Sequence, residues 1–401
     1  MSSNPTTPAT KVTASDGRAN DWFGTAVAIV DDTAVVGAPN ANVNGDVSRG
    51  AAYVFKRVSG IWRQAQKLIA SDGASLDLFG QVVTLLDAKT LIIAAPFARV
   101  NGSTWVGAAY VFQFAGGTWV EKQKLTPSDL SPFGTFGKCV ALNGTHLLIG
   151  AGGASMNNAH VRGSVYAFDF VPSPAGGSWI QVQRILAPDQ NDDTAFFGNA
   201  VAISANTVLI GAYASTVDGT LGQGAVYVYN RFSGTWRMSE KLTASDGGAR
   251  DNFGISIGFV GTTAAIGAPG ATINGNISQG AVYRFKLAGS QSIEVQKLTA
   301  QDGTALNLFG AAVNLANSRV LVGAYAADNY RGAAYVFGTS TSGTMMQQRK
   351  LAPNDGLNFD VFGHFTALDA HTALVSAYAA DIGSNPNQGA AYFFPLGPVG
   401  P

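Results

Sequence analysis

Seven of the nine Phe-Gly dipeptides in the 401-residue chain recur at near-constant spacing. The copies are Phe23-Gly24, Phe79-Gly80, Phe136-Gly137, Phe197-Gly198, Phe253-Gly254, Phe309-Gly310 and Phe362-Gly363, separated by 56, 57, 61, 56, 56 and 53 residues. About thirteen residues after each copy stands a small-residue tripeptide: Gly37-Ala38-Pro39, Ala94-Ala95-Pro96, Gly150-Ala151-Gly152, Gly211-Ala212-Tyr213, Gly267-Ala268-Pro269, Gly323-Ala324-Tyr325 and Ser376-Ala377-Tyr378. An alternating segment with Tyr at its second place follows, from Ala52-Tyr53-Val54-Phe55 to Ala391-Tyr392-Phe393-Phe394, and most units close on a stretch ending in Lys-Leu. Each unit thus offers four short stretches of period two, punctuated by Gly, Asn and Asp, and nothing reads as a helix. Seven such units predict an all-β seven-bladed β-propeller of four-stranded antiparallel blades, because radial repetition leaves only short sheet edges.

On this reading residues 1–401 form a single propeller domain with units starting near 23, 79, 136, 197, 253, 309 and 362. The last unit stops after its third strand, and the spare copy of the fourth is Lys11-Val12-Thr13-Ala14-Ser15-Asp16-Gly17. Residues 11–17 are therefore expected to complete the seventh blade and close the ring. Composition agrees: 49 Gly and 22 Asp against 3 Glu favour turns over helices, since a short carboxylate bonds nearby backbone N–H groups.

The pattern resembles the FG-GAP repeats of the integrin alpha-chain-type propeller and covers nearly the whole chain. The resemblance implies a binding module, such as an adhesion head or a lectin-like protein, and an extracellular or cell-surface setting. Met1 to Thr10 carries no apolar stretch of the kind an export signal needs. One departure matters. Calcium-binding family members carry Asp-x-Asp-x-Asp-Gly between first and second strands. Here that connection is a tight turn, such as Asp31-Asp32 or Asn143-Gly144, so those calcium sites are not expected.

In a four-stranded meander the connections from strand four to strand one and from strand two to strand three emerge on one face. The long connections are of this kind and hold 17 of the 22 Asp, with Arg18, Arg49, Arg99, Arg162, Arg250 and Arg331, a net −11. Adding the basic residue that ends each fourth strand leaves −4. Over the whole chain 25 Lys+Arg balance 25 Asp+Glu, which excludes a nucleic-acid binder driven by bulk charge. No apolar run approaches the ~18 residues of a membrane span.

Asp16, Asp72, Asp129, Asp189, Asp246, Asp302 and Asp355 recur once per unit, and the expected role is an Asx-type turn. A second acid five residues on gives the pairs Asp16/Asp21, Asp72/Asp77, Asp246/Asp251 and Asp355/Asp360, which make calcium possible although no cofactor is required. Trp62, Trp119, Trp179 and Trp236 share one repeat position and read as packing residues. Trp22 and Trp105 break the repeat within the Asp-rich loops, and Tyr213, Tyr325 and Tyr378 stand where other units have Pro. With Arg99, Asp218 and Asp328 these are the candidate ligand-binding residues, because a ring beside polar side chains suits a sugar.

No Gly-x-Ser-x-Gly, His-Glu-x-x-His or P-loop occurs, and His146, His160, His364 and His371 share no metal-site spacing. The single cysteine, Cys139, reads as buried and inert. The expectation is a monomeric, non-enzymatic binding protein for a glycan or a surface protein, with no nucleic acid and no membrane insertion. An adhesion scaffold is the second reading and a polysaccharide-acting enzyme the third.

Overall fold

The computed structural model describes residues 9–397 except 131, 154, 157–159, 162, 175, 189–194, 290, 317 and 342, with backbone only at 155, 156, 160, 161 and 288. Asp189, Arg162 and the His160 side chain therefore lie outside the described residues. The fold is the expected one. Blade one holds Ala26–Val30, Thr33–Ala38, Ala51–Val58 and Ile61–Leu68 in sequential antiparallel order. The same order repeats in the next five blades. Innermost strands lie side by side around the ring, the last against the first. Among the described residues the only helical element is one distorted turn, Ala327–Tyr330, with Asp328 and Asn329 in left-handed conformation, which short polar residues tolerate best. Among the described residues no helix is long and apolar enough to cross a membrane.

The seventh blade takes Thr366–Leu368, Thr372–Ala377 and Ala390–Pro395 from the end of the chain and Thr10–Val12 from its beginning. The closing strand pairs Thr10 with Phe393, Lys11 with Tyr392 and Val12 with Ala391. It is shorter than residues 11–17 because the chain already turns at Ala14, whose carbonyl accepts from Gly17 N–H at 3.2 Å.

The apolar core lies between blades, and the repeated motifs are its joints. The Phe of all seven repeated Phe-Gly pairs is fully buried, worth about 1.5–3 kcal/mol each. Phe23 meets Tyr53 and Phe55 edge-on at 5.6 and 6.0 Å. The paired Gly serves a close approach: a Cβ at Gly37 would lie 1.9 Å from the carbonyl oxygen of Gly80 in the next blade, and Gly80 itself has φ +92°. The first glycine of Gly-Ala-Pro and the glycine of the next Phe-Gly are thus two sides of one contact. The four repeated tryptophans are buried as expected, and Trp62 stacks on Phe393 of blade seven at 4.1 Å. Glutamine amides clasp the outer strands: Gln66 accepts from Trp119 N–H at 2.8 Å and donates to Trp119 O at 2.9 Å. Gln123 with Trp179, Gln183 with Trp236 and Gln296 with Met345 repeat this bridge.

Candidate functional site

The once-per-unit Asp does more than sit in a turn. Asp16 accepts from the Tyr53 hydroxyl at 2.8 Å and from Lys67 Nζ at 2.6 Å. The same latch recurs at Asp72 with Tyr110 and Lys124, Asp129 with Tyr166 and Arg184, Asp246 with Tyr283 and Lys297, Asp302 with Tyr335 and Lys350, and Asp355 with Tyr392 and Lys11. Partial burial works to raise the Asp16 carboxyl, but the bonds from Lys67 and Tyr53 outweigh it and hold its pKa below the usual range. Each latch ties a connection between blades to the third and fourth strands of the blade it enters. The recurrent acids and the strand-ending cations are therefore partners, so the −4 balance describes this face better than −11.

The second acids sit deeper. Asp21, Asp77, Asp251 and Asp360 are buried, and each accepts a backbone N–H three residues back, from Arg18, Ala74, Gly248 and Leu357 at 2.8–2.9 Å. Burial raises their pKa, and hydrogen bonds and the nearby latch lysine only partly offset it. In blade six Asn307 takes the position and accepts from Thr304 N–H at 2.8 Å. Among the described residues no group of three or more His, Cys, Asp or Glu side chains is placed to hold a metal ion.

The raised acids have a measurable consequence. A carboxyl whose folded pKa exceeds its unfolded one favours the fold at low pH and costs stability as pH rises through the folded value. Asp251→Asn keeps the acceptor and removes the buried charge, as Asn307 already does. It is expected to stabilise the protein at pH 7 by roughly 0.5–2 kcal/mol, with the gain fading near pH 4. Melting curves at both pH values check this; a loss at pH 7 contradicts it. A chelator-sensitive melt would assign Asp246 and Asp251 to a cation.

The long loops are stitched into a rigid rim. Leu76 N–H donates to Val47 O at 2.9 Å, Leu78 N–H to Ser48 O at 3.2 Å and Phe79 N–H to Arg49 O at 3.0 Å. The residue before Phe-Gly is left-handed in all seven units: Trp22, Leu78, Thr135, Phe196, Asn252, Leu308 and Val361. Most of these are residue types for which that conformation is unfavourable, so the pairing between blades imposes it. Apolar side chains stand out from the rim, among them Leu76 (57% exposed), Leu221 (69%), Ile277 (65%), Leu306 (63%) and Phe359 (66%).

The sequence-predicted aromatics fall into three groups. Trp22, 39% exposed, meets Tyr378 edge-on at 5.9 Å. Tyr378 lies 5.3 Å from the His364 ring, which is 4.3 Å from Tyr325. Tyr330 and Phe359 extend this arc. Trp105 belongs elsewhere, with Phe97 and Phe133 at 5.6 and 5.4 Å. Tyr213 stacks on Phe196 at 5.2 Å. Arg99 and Asp218 are exposed on separate blades, and Asp328 sits beside Lys350 at 3.5 Å.

The arc borders a central funnel of about 640 Å³, which the sequence reading did not single out. Its lining takes the residue after six of the seven repeated Phe-Gly copies: Gln81, Lys138, Asn199, Ile255, Ala311 and His364. Tyr325 and Arg250 join them, and among the described residues no carboxylate lines it. Burial pushes the His364 imidazole down to about 4, and its Nδ1, shut off from solvent, has no hydrogen-bond partner. On the opposite face His146 Nδ1 lies 2.9 Å from Asp169, which Arg231 holds with two hydrogen bonds, a bridge between blades three and four. Cys139 donates to Gly198 O at 3.1 Å across the same joint, and burial raises its thiol pKa to about 12.

Comparison with known proteins agrees with the repeat. No curated protein sequence matches the chain. A solved structure, the periplasmic gluconolactonase of Pseudomonas aeruginosa, is similar at 15% identity and a TM-score of 0.49, over 84% of this chain and 87% of that one. The FG-GAP repeat pattern matches residues 7–55, 62–112, 119–168, 179–229, 236–285, 293–337 and 345–394. Each matched unit begins near an outer strand and ends with the third strand of the following blade, the same offset by which the N-terminal strand closes the ring. With seven repeats spanning most of its length, this chain belongs to the FG-GAP repeat proteins.

Proposed function

We propose that this protein is a non-enzymatic, lectin-like binding module that holds a saccharide at the mouth of the central funnel. One observation carries the reading: the arc of Trp22, Tyr378, His364 and Tyr325 stands at the rim of a funnel lined by the amides of Gln81, Asn199 and Asn314. An aromatic wall covers the apolar face of a pyranose while amides donate to and accept from its hydroxyls. The stitched rim supports the same reading, since a pre-ordered site loses little entropy on binding. The reading needs no cofactor. It needs no bond cleavage either.

A glycan array tests the proposal. Trp22→Ala is expected to lower the signal about tenfold, the scale of one lost stacking surface, while Trp105→Ala, in a separate cluster, leaves it unchanged. An array without signal, or one in which only Trp105→Ala matters, sinks it. A second reading, docking of a protein partner, is favoured by the apolar side chains on the rim, because such patches mark interaction sites. It predicts capture that Leu221→Asp with Ile277→Asp abolishes and Trp22→Ala does not.

A further inference from the structure

We propose that the funnel selects acidic saccharides, receiving the carboxylate of a uronate-type unit between Lys138 and Arg250. The inference rests on the glycan reading above and adds the ligand class. Sites for neutral sugars usually set carboxylates against the hydroxyls, yet here the charged residues lining the funnel are two cations. The latch acids of blades five and six are already engaged, Asp246 with Lys297 and Tyr283 and Asp302 with Lys350, and Asp251, next to Arg250 in the chain, is buried and accepts from Gly248 N–H. Neither Lys138 nor Arg250 has an ion-pair partner among the described residues.

Both cations have fixed roots. Lys138 N–H donates to Thr135 O at 3.2 Å and Gly150 O at 3.1 Å, and Arg250 N–H donates to Leu221 O at 2.9 Å. The Arg250 carbonyl is packed so closely on Gly270 that a Cβ there would lie 1.9 Å from it. Two cations on fixed backbone positions beside a concave, amide-lined wall attract an anion more strongly than they would on a flat surface, because a cleft focuses their field. Arg supplies a planar fork that matches a carboxylate, and Lys supplies a point charge. His364, neutral at physiological pH, adds hydrogen-bonding capacity without charge. The surrounding loop face carries a net −4, so the attraction is confined to these two cations and is opposed beyond them.

Titration calorimetry of the full chain with trigalacturonate and with its fully methyl-esterified form tests the proposal. The acid is expected to bind about tenfold tighter than the ester, with the gap narrowing between about 50 mM and about 500 mM salt as screening grows. Lys138→Gln with Arg250→Gln should make the two ligands equal, and both side chains are exposed, so melting curves should match the parent. If both forms bind equally, or the double variant keeps the preference, the acidic inference falls and the glycan reading stands. If neither form binds and a neutral glycan array is also silent, both fall.

Discussion

Removal of residues 1–17 is expected to abolish the single cooperative thermal transition. The cut takes away the strand paired with Ala390–Pro395, the buried Val12 and Ala14, and the latch from Lys11 to Asp355 and Tyr392. It also removes Asp16 from Tyr53 and Lys67, and Ser15 from Gln64. Burial of one valine is worth about 1.5–3 kcal/mol and each hydrogen bond roughly 1 kcal/mol. The sum, on the order of 6 kcal/mol, is comparable to the whole stability of many domains. The exposed edge would carry Tyr392, Phe393 and Phe394, a sequence prone to pair with other chains. Calorimetry with size-exclusion chromatography should show a broad transition and soluble aggregates. A synthetic peptide of residues 9–17 in excess should partly restore the native melt. An unchanged transition would mean that the ring is held shut elsewhere.

Gly267→Val is expected to destabilise by about 3 kcal/mol or more, the upper range for overpacking a closed interior. A Cβ there would lie 2.0 Å from Gly310 O and 2.3 Å from Ser256 Oγ, so blades five and six must separate. The equivalent residue of blade two is already Ala94, opposite Gly137. Ala94→Gly should therefore cost only about 0.5–1 kcal/mol, the entropy of an added glycine. Urea midpoints of the two variants decide the matter. Equal small losses would show that the joints between blades yield.

The fold was legible because its joints repeat. Phe-Gly and Gly-Ala-Pro are the two sides of one close approach, so most blades carry both, with Ala94 and Ser376 the exceptions, and periodicity exposes them. The latch was half legible. Asp16, Tyr53 and Lys67 recur in phase, yet periodicity names residues without saying which of them meet, and a local turn was the simpler expectation. The funnel was legible only through Tyr325, the one residue of its lining that the sequence singled out as a ligand-binding candidate. Part of its lining sits one place after Phe-Gly in six units, where those units differ: glutamine, lysine, asparagine, isoleucine, alanine, histidine. A search for sameness passes over such a position, although an asymmetric ligand needs that difference. Trp22 and Trp105 were found for breaking the repeat, but only proximity separates the one beside the funnel from the one in another cluster.

The stitching of the rim has a consequence for how this surface can change. Leu76 is positioned by Val47, Arg250 by Leu221 and Leu306 by Ile277 through main-chain bonds alone. At such paired sites the side chain is free cargo on a frame that does not depend on it. The disc is in effect a circular display of paired addresses, each rewritable without refolding its neighbours, and selection could exchange one binding surface for another while the propeller beneath stays the same.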